Sequence, residues 1–322
     1  MNSHFPEVHK TGIQPSDPES LSYDLAAWPK NYICPLCRSA RLKEVYKPQI
    51  TSGSEISFSY TFSPAHSRTF GVVRCMDCTH VFCAPIPDDI SAHYADVVDH
   101  EYLKHELSRK LTAGSLVKVL QRYRRGGKLL DIGSATGDFL DVAEKEGHYI
   151  AEGLEPCVWS SEVARKRGLT VHREFLEDFS KEHKEQYDAV TLWGVIEHFA
   201  DPVAQVGRIK TLLRTGGIVA LWTGDVDSVT SHFLGRKWWY WQGQHIQYFT
   251  HSSLLRLFRV QGFEHLTTGR YPFAASFETI SNSLSRYRSQ KILTTLLKPL
   301  FAVKPVFFLR LPGEMLFIAR KS

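Results

Sequence analysis

Residues 128–140 (KLLDIGSATGDFL) join a short apolar run to a glycine-bearing turn and then to an apolar pattern with helical spacing. Such a stretch folds as a strand that delivers a ligand to the start of a helix. Gly133 and Gly137 have access to backbone angles closed to other residues, so the main chain can approach a ligand closely. The unpaired N–H groups of the following helical turn suit an anionic carboxylate or phosphate. A second acid, Glu155, follows within residues 149–156 (YIAEGLEP), at the expected tip of the next strand. A carboxylate there can accept both hydroxyls of a ribose.

A dinucleotide fingerprint places its first glycine at the start of the turn. Here an acid stands inside the motif, as Asp131-x-Gly133-x-x-x-Gly137. The segment resembles motif I of class I S-adenosylmethionine-dependent methyltransferases, D-x-G-x-G-x-G, with Ala135 in place of the middle glycine. Residues 187–202 (YDAVTLWGVIEHFADP) resemble the fourth-strand block of that family, and residues 213–222 (LRTGGIVALW) its helix end and fifth strand. The resemblance covers roughly residues 100–270, and beyond them only the last strand at 314–320.

The resemblance implies that Asp131, Gly133, Ser134 and Gly137 hold the methionine end of S-adenosylmethionine and that Glu155 holds its ribose. It places the adenine near Glu177 or Asp178, either of which serves equally well as a helix-capping acid. Trp193 and Gly194 follow the fourth strand, where an aromatic face can attract the sulfonium charge or simply pack in the core. Glu197-His198 matches the family's E-H pair, which implies an anchor for the following helix rather than a catalytic group. Residues 223–227 (TGDVD) and 238–249 (WWYWQGQHIQYF) resemble the T-G-D and H-x-x-Y-F blocks of a bacterial subgroup. That puts Asp225, His245 and Tyr248 on the substrate side, with His245 as candidate general base or as an orienting loop histidine. The aromatic cluster at 238–241 can stack on a sugar or a base, or form a lid packed on the core.

Four of the six cysteines form two C-x2-C knuckles, Cys34/Cys37 and Cys75/Cys78, each able to present two thiolates to one tetrahedral Zn2+. Cys83 and Cys157 read as apolar packing residues, and His80 as a spare ligand candidate. The chain of 322 residues therefore divides into a flexible leader (1–30), a zinc-ribbon-like module (31–95) and a methyltransferase domain (96–322). Helical spacing at 101–123, 138–146 and 160–167 alternates with strand-like runs at 150–154, 169–172 and 189–193. Another helix opens at Asp201-Pro202 and stops at Gly216-Gly217. The pattern predicts an α/β fold, a doubly wound, mainly parallel, seven-stranded Rossmann-like sheet. A helical, aromatic insertion is expected over 271–313, with an amphipathic stretch at 286–312 that could touch a membrane surface, cover the site or meet a second copy.

The N-terminal residues lack an apolar stretch, which predicts a cytoplasmic protein. A net charge of +5, from 39 Lys+Arg and 34 Asp+Glu, is that of an ordinary solvated surface. Two knuckles before such a core resemble bacterial sugar methyltransferases, deoxysugar C-methyltransferases among them, although the long C-terminal third of those enzymes has no counterpart. The implied acceptor is a saccharide or glycosylated precursor. The alternatives are an RNA methyltransferase that binds RNA through the zinc module, and a non-catalytic binding protein. For RNA, the charge between the knuckles is only weakly basic: Arg38, Arg41, Lys43, Lys47, Arg68 and Arg74 against Glu44 and Glu55.

Overall fold

The computed structural model describes residues 29, 32–50, 58–61, 64–86, 92–276 and 306–322, so the leader expected over 1–30 lies outside it apart from Pro29. The chain first builds an antiparallel sheet in which β1 (Leu42–Tyr46) pairs with β2 (Val72–Cys75) and β2 with β3 (Val81–Cys83). Next, the single helix expected over 101–123 is broken in two. Asp99 accepts from the Tyr102 N–H at 3.0 Å and starts the short α1 (His100–Leu103), which buries no side chain. Of the two, α2 (Glu106–Leu120) turns Ala113, Leu116, Val117 and Leu120 into the core.

From here strand and helix alternate: β4 (Gly127–Ile132), α3 (Asp138–Lys145), β5 (Tyr149–Leu154), α4 (Val158–Lys166), β6 (Val171–His172), α5 (Leu176–Glu182), β7 (Tyr187–Trp193), α6 (Pro202–Leu212) and β8 (Leu213–Gly224). The Asp201 carboxylate caps α6 by accepting from the Ala204 N–H at 3.0 Å, and Pro202 opens its first turn. Val206, Ile209 and Leu212 face inward. The glycine pair does not end α6, which stops at Leu212. β8 begins at once, with Leu213 opposite Tyr187, and register resumes only at Ala189 opposite Ile218. Gly216, at φ +76°, lies within the resulting bulge.

After α7 (Val229–Leu234), β9 (Gln247–Tyr248) and α8 (His251–Val260), the chain closes with β10 (Phe263–Ser276) and β11 (Val306–Lys321). The main sheet runs β10-β11-β8-β7-β4-β5-β6; β11 is antiparallel to both neighbours, and the five strands β8, β7, β4, β5 and β6 pair in parallel. The seven-stranded, mainly parallel sheet expected from the sequence is borne out. Its interior strands are apolar on both faces, as helix-covered parallel strands must be, and every residue of β7 before Trp193 is buried. Winding proceeds outward from β4 through β5 to β6 and then restarts at β7 on the other side of β4. This topological switch opens a crevice at the carboxyl ends of β4 and β7.

The insertion expected to be helical over 271–313 begins and ends as strand. Residues 272–276 pair with 306–310, from Pro272 opposite Arg310 to Ser276 opposite Val306, and Pro272 sits at a register shift where no ladder N–H is needed. Val306, Phe307 and Phe308 suit an extended chain beside such a partner. The remainder, 277–305, lies outside the described residues, and with it most of the expected amphipathic stretch. Among the described residues no helix is long and apolar enough to cross a membrane.

The cysteine-bearing sheet is completed from far along the chain. β9 pairs with β3, Tyr248 opposite Val81 and Gln247 opposite Phe82, so the boundary expected at 95/96 is bridged by a shared sheet. Phe70, Val72 and Val81 pack with Trp238, Tyr240, Trp241, Ile246 and Tyr248 in one core. Three members of the aromatic cluster at 238–241 are thereby committed to packing, and Trp239 alone of the four is half-buried. Trp241 touches both sides of the joint, 5.1 Å from the Tyr46 ring and 4.4 Å from that of Tyr248. Trp241→Ala is expected to cost about 3–5 kcal/mol in chemical denaturation; a loss below about 1 kcal/mol would show that the joint carries little of the stability.

Candidate active site

The crevice at the switch point is a cavity of about 1220 Å³. Single-ligand pockets span about 300–1,000 Å³, so there is room for a cofactor and an acceptor together. Its floor is the turn after β4. Gly133, Ala135 and Gly137 all take left-handed backbone angles, φ +71°, +46° and +81°. A Cβ on Gly133 would lie 2.6 Å from Val195 Cγ2, and one on Gly137 would lie 2.4 Å from Leu169 Cδ1. Ala135 holds the same region without a glycine's freedom, at a cost of about 1–2 kcal/mol. What offsets it is visible: its N–H donates to Glu155 Oε2 at 2.8 Å.

Glu155 follows the tip of β5 and is almost wholly buried. Besides Ala135, it accepts from the Cys157 N–H at 3.0 Å and from the Tyr60 hydroxyl at 3.2 Å. Burial pushes its pKa up, and these donors pull it back. Asp131, also buried, accepts from Thr191 Oγ1 at 2.6 Å; burial, assisted by the charge of Glu155, pushes its pKa up to about 8.

Five buried polar atoms of residues on the cavity wall have no hydrogen-bond partner: Ser134 Oγ, Trp193 Nε1, Arg109 Nη2, Thr61 Oγ1 and Gln205 Oε1. Arg109, on α2, is held by Asp138 Oδ2 at 2.6 Å, by the Tyr102 carbonyl, and by the Tyr102 ring 3.6 Å below its guanidinium. The sequence reading missed it, because nothing local separates Arg109 from the other basic residues of that helix. Trp193 rests edge-on against Phe139 at 5.1 Å. Gly194, at φ +74°, leaves space for Trp222, since a Cβ there would lie 2.4 Å from the indole. Of the two adenine candidates, Glu177 lines the cavity and accepts from Gln205 Nε2. Asp178 is exposed, paired with Lys181 at 2.6 Å, and does not reach it.

The three residues expected on the substrate side do not stay together. His245 lines the cavity, with its Nδ1–H donated to the Tyr240 carbonyl at 2.8 Å, an assignment that leaves Nε2 unprotonated. Tyr248 is fully buried beside it, the two rings 6.4 Å apart, and donates to the Gln242 carbonyl at 3.1 Å without reaching the cavity wall. Asp225 accepts from the Asp227 N–H at 3.1 Å in the turn beyond β8 and lies outside the cavity wall.

Glu197 and His198 instead flank His245, the ligand-type atoms of all three lying within 4.8 Å of one another. Glu197 accepts from the Tyr240 hydroxyl and from Thr223 Oγ1 at 3.2 Å, and burial pushes its pKa up to about 7. His198 donates to the Gln244 carbonyl at 2.8 Å and is pushed down to about 4 by burial. Beyond them stands an aromatic wall. Trp222 and Trp239 donate their indole N–H groups to Glu314 at 3.1 and 3.0 Å, and Trp222 stacks on Tyr271 at 4.7 Å. Nothing in the sequence pointed to Glu314.

The four knuckle cysteines converge. Cys34–Cys78 and Cys37–Cys75 sulfur separations are both 3.5 Å, and all four sulfurs lie within 4.8 Å of one another. Four sulfurs about 2.3 Å from one ion would be about 3.8 Å apart, so the cluster fits a tetrahedral thiophilic metal. The two turns are alike: the Arg38 and Thr79 N–H groups donate to the Cys34 and Cys75 carbonyls, and both residues sit near φ +63° and +62°. His80 is not part of this cluster; it is buried, with Nε2 on Gln247 Oε1 at 2.8 Å.

Residues 100–268 match the methyltransferase domain family. Among curated proteins, the ubiquinone biosynthesis O-methyltransferase of Escherichia fergusonii is 30% identical over 118 residues, 35% of this chain and 46% of that protein. The Salmonella newport protein of the same name is 31% identical over 99 residues, 29% of this chain and 41% of that protein. The chain thus spans less than half the length of these relatives. A chain in the complex of the Haloferax volcanii Trm112 methyltransferase activator with its methyltransferase partner shares the fold, at TM-score 0.50 and 17% identity over 73% of this chain and 98% of that one.

Gly137→Ala would force a Cβ against Leu169 at a left-handed position. It is expected to lower stability by about 1–2 kcal/mol or more, read as a drop in melting temperature; an unchanged melting temperature would show that the turn relaxes freely.

Proposed function

The chain belongs to the methyltransferase domain family, and we propose that it methylates a hydroxyl of a small, ring-bearing acceptor using S-adenosylmethionine. When bound, S-adenosylmethionine supplies a methyl group activated on a sulfonium. The chain itself has to bind, align and accept one proton. The observation that carries the reading is the set of buried, unpartnered polar atoms that share the cavity wall with Glu155, Ser134 Oγ, Arg109 Nη2 and Trp193 Nε1 among them. A buried donor without a partner is costly, and a ligand with a carboxylate at one end and a ribose diol further along would satisfy such a set.

On this reading Asp131, Gly133, Ser134 and Gly137 cradle the methionine end, and Arg109 faces its carboxylate. Glu155 takes the ribose hydroxyls and Glu177 the adenine amino group. Trp193 offers a ring face to the sulfonium, with Gly194 leaving space behind it. Asp178, Asp225 and Tyr248 have no direct role, since none reaches the cavity. His245 is the general base: the Tyr240 carbonyl fixes its tautomer, and Glu197 holds Tyr240 by its hydroxyl, so the acid acts through the tyrosine.

Oxygen as the nucleophile is supported by the names of the curated relatives, O-methyltransferases of ubiquinone biosynthesis. The wall of Trp222, Trp239 and Tyr271 suits a flat ring. A saccharide, the acceptor implied by the motif resemblance, would stack on the same aromatic faces and is the competing occupant. RNA is disfavoured because three of the module's six cations are engaged: Arg41 pairs with Asp77 and Arg74 with Asp227, each at 2.6 Å, while Arg68 donates to the Gln49 carbonyl at 2.7 Å. We also propose that Cys34, Cys37, Cys75 and Cys78 hold a structural Zn2+.

In calorimetric titrations Glu155→Ala is expected to weaken S-adenosylmethionine binding at least about 10-fold. His245→Ala should change binding by less than about 3-fold while lowering turnover by about 100-fold or more. Equal binding losses would show the two roles to be misassigned, and no binding by the parent protein would leave only a non-catalytic relative. With labelled S-adenosylmethionine, label is expected in phenolic acceptors and not in RNA; label in nucleotide sugars alone would select the saccharide. Elemental analysis should find about one zinc per chain, lost with Cys75→Ser; a folded protein free of metal would refute the zinc assignment.

A further inference from the structure

We infer that Tyr60, carried by the chain between the two cysteine knuckles, is a cofactor-positioning residue, and that through it the metal-stapled module forms part of the adenosyl site. The inference rests on the proposed assignment of Glu155 to the ribose. The Tyr60 hydroxyl donates to Glu155 Oε1 at 3.2 Å and lies 3.0 Å from Ser160 Oγ. Its ring leans on Tyr102 at 5.1 Å, and it lines the cavity together with Ser59 and Thr61.

The backbone beside it is anchored to the methyltransferase fold. The Thr61 N–H donates at 2.6 Å to Asp99 Oδ2, and the other oxygen of that carboxylate caps α1. On the module side, the Gln49 and Ile50 N–H groups both donate to the Thr69 carbonyl, closing the base of the excursion that carries Tyr60. The backbone next to Tyr60 is thus tied to Asp99, and Gln49 and Ile50 are tied to Thr69.

A carboxylate that accepts two adjacent ribose hydroxyls must present its plane at one angle. The Ala135 and Cys157 N–H groups bind opposite oxygens of Glu155 and fix that plane within the methyltransferase fold. Tyr60 adds a donor from outside that fold. Burial and the adjacent carboxylate hold its phenol protonated, so it acts as a donor and not as a competing anion. A donor on the carboxylate favours the ionised form that the ribose needs.

Tyr60→Phe keeps the ring and its packing and removes only the donor. In calorimetry on the metal-loaded protein, the dissociation constant for S-adenosylhomocysteine is expected to rise about 5–20-fold, from about 1–2 kcal/mol lost with a charge-assisted hydrogen bond. A purely structural role would weaken every ligand alike. The sharper readout is therefore the ratio of affinities for S-adenosylhomocysteine and its 2′-deoxy analogue, which should fall in Tyr60→Phe. Stripping the metal with a chelator should reproduce that fall in the parent protein and add little to Tyr60→Phe. Unchanged affinity, or weakened affinity with an unchanged ratio, would overturn the inference. Glu155→Gln separates the two levels: if it too leaves the ratio unchanged, the ribose assignment is what fails, and if it alone lowers the ratio, only the role of Tyr60 fails.

Discussion

The hydrogen bond from the Ala135 N–H to Glu155 is the contact on which the cavity depends. The turn after β4 must lie close to the ligand, and its conformation is unfavourable for the one non-glycine residue forced into left-handed angles there. Glu155 compensates by accepting that residue's N–H, and in doing so it is itself pinned at the tip of β5. Two adjacent parallel strands thus exchange constraints across the switch point. A buried carboxylate held by neutral donors alone retains a strong need for further polar partners, which is what a ribose offers.

Around this contact the chain recruits from distant segments. α2 contributes Arg109, the excursion between the knuckles contributes Tyr60, and the long hairpin of β10 and β11 contributes Tyr271, Phe273, Leu309 and Glu314. The cysteine module is not an attached bead. Its sheet is completed by β9, whose preceding loop carries His245, so the cysteine-bearing sheet and the loop of the candidate base are joined directly. The proposed Zn2+ would suit a small sheet whose own core is thin.

Much of this was legible in the sequence wherever local pattern and local structure coincide. The glycine turn after β4, the acid at the tip of β5, the Asp-Pro opening of α6 and the paired knuckles are short-range signals with a physical cause within a few residues. What the sequence did not disclose depends on tertiary contact. Arg109, Glu314 and Tyr60 carry no distinguishing neighbours, and become notable only when the fold strips them of water. Tyr248 shares a motif with His245 and packs beside it, yet only His245 reaches the cavity, because the Tyr248 hydroxyl is turned to the Gln242 carbonyl. The ends of the supposed insertion were read as helix because an aromatic and aliphatic run satisfies either period, and only pairing between 272–276 and 306–310 decides for strand. Gly216-Gly217 resembled a helix stop, whereas the chain uses it to start β8 with a bulge.

The position of the adenosyl group decides whether Glu155 is the ribose acceptor. A crystal structure of the protein with S-adenosylhomocysteine should show both ribose hydroxyls on the Glu155 carboxylate, the amino-acid carboxylate within reach of Arg109 Nη2 and Ser134 Oγ, and His245 facing the vacant methyl position. A ligand seated away from Glu155, or with its ribose turned towards the aromatic wall of Trp222 and Trp239, would contradict it.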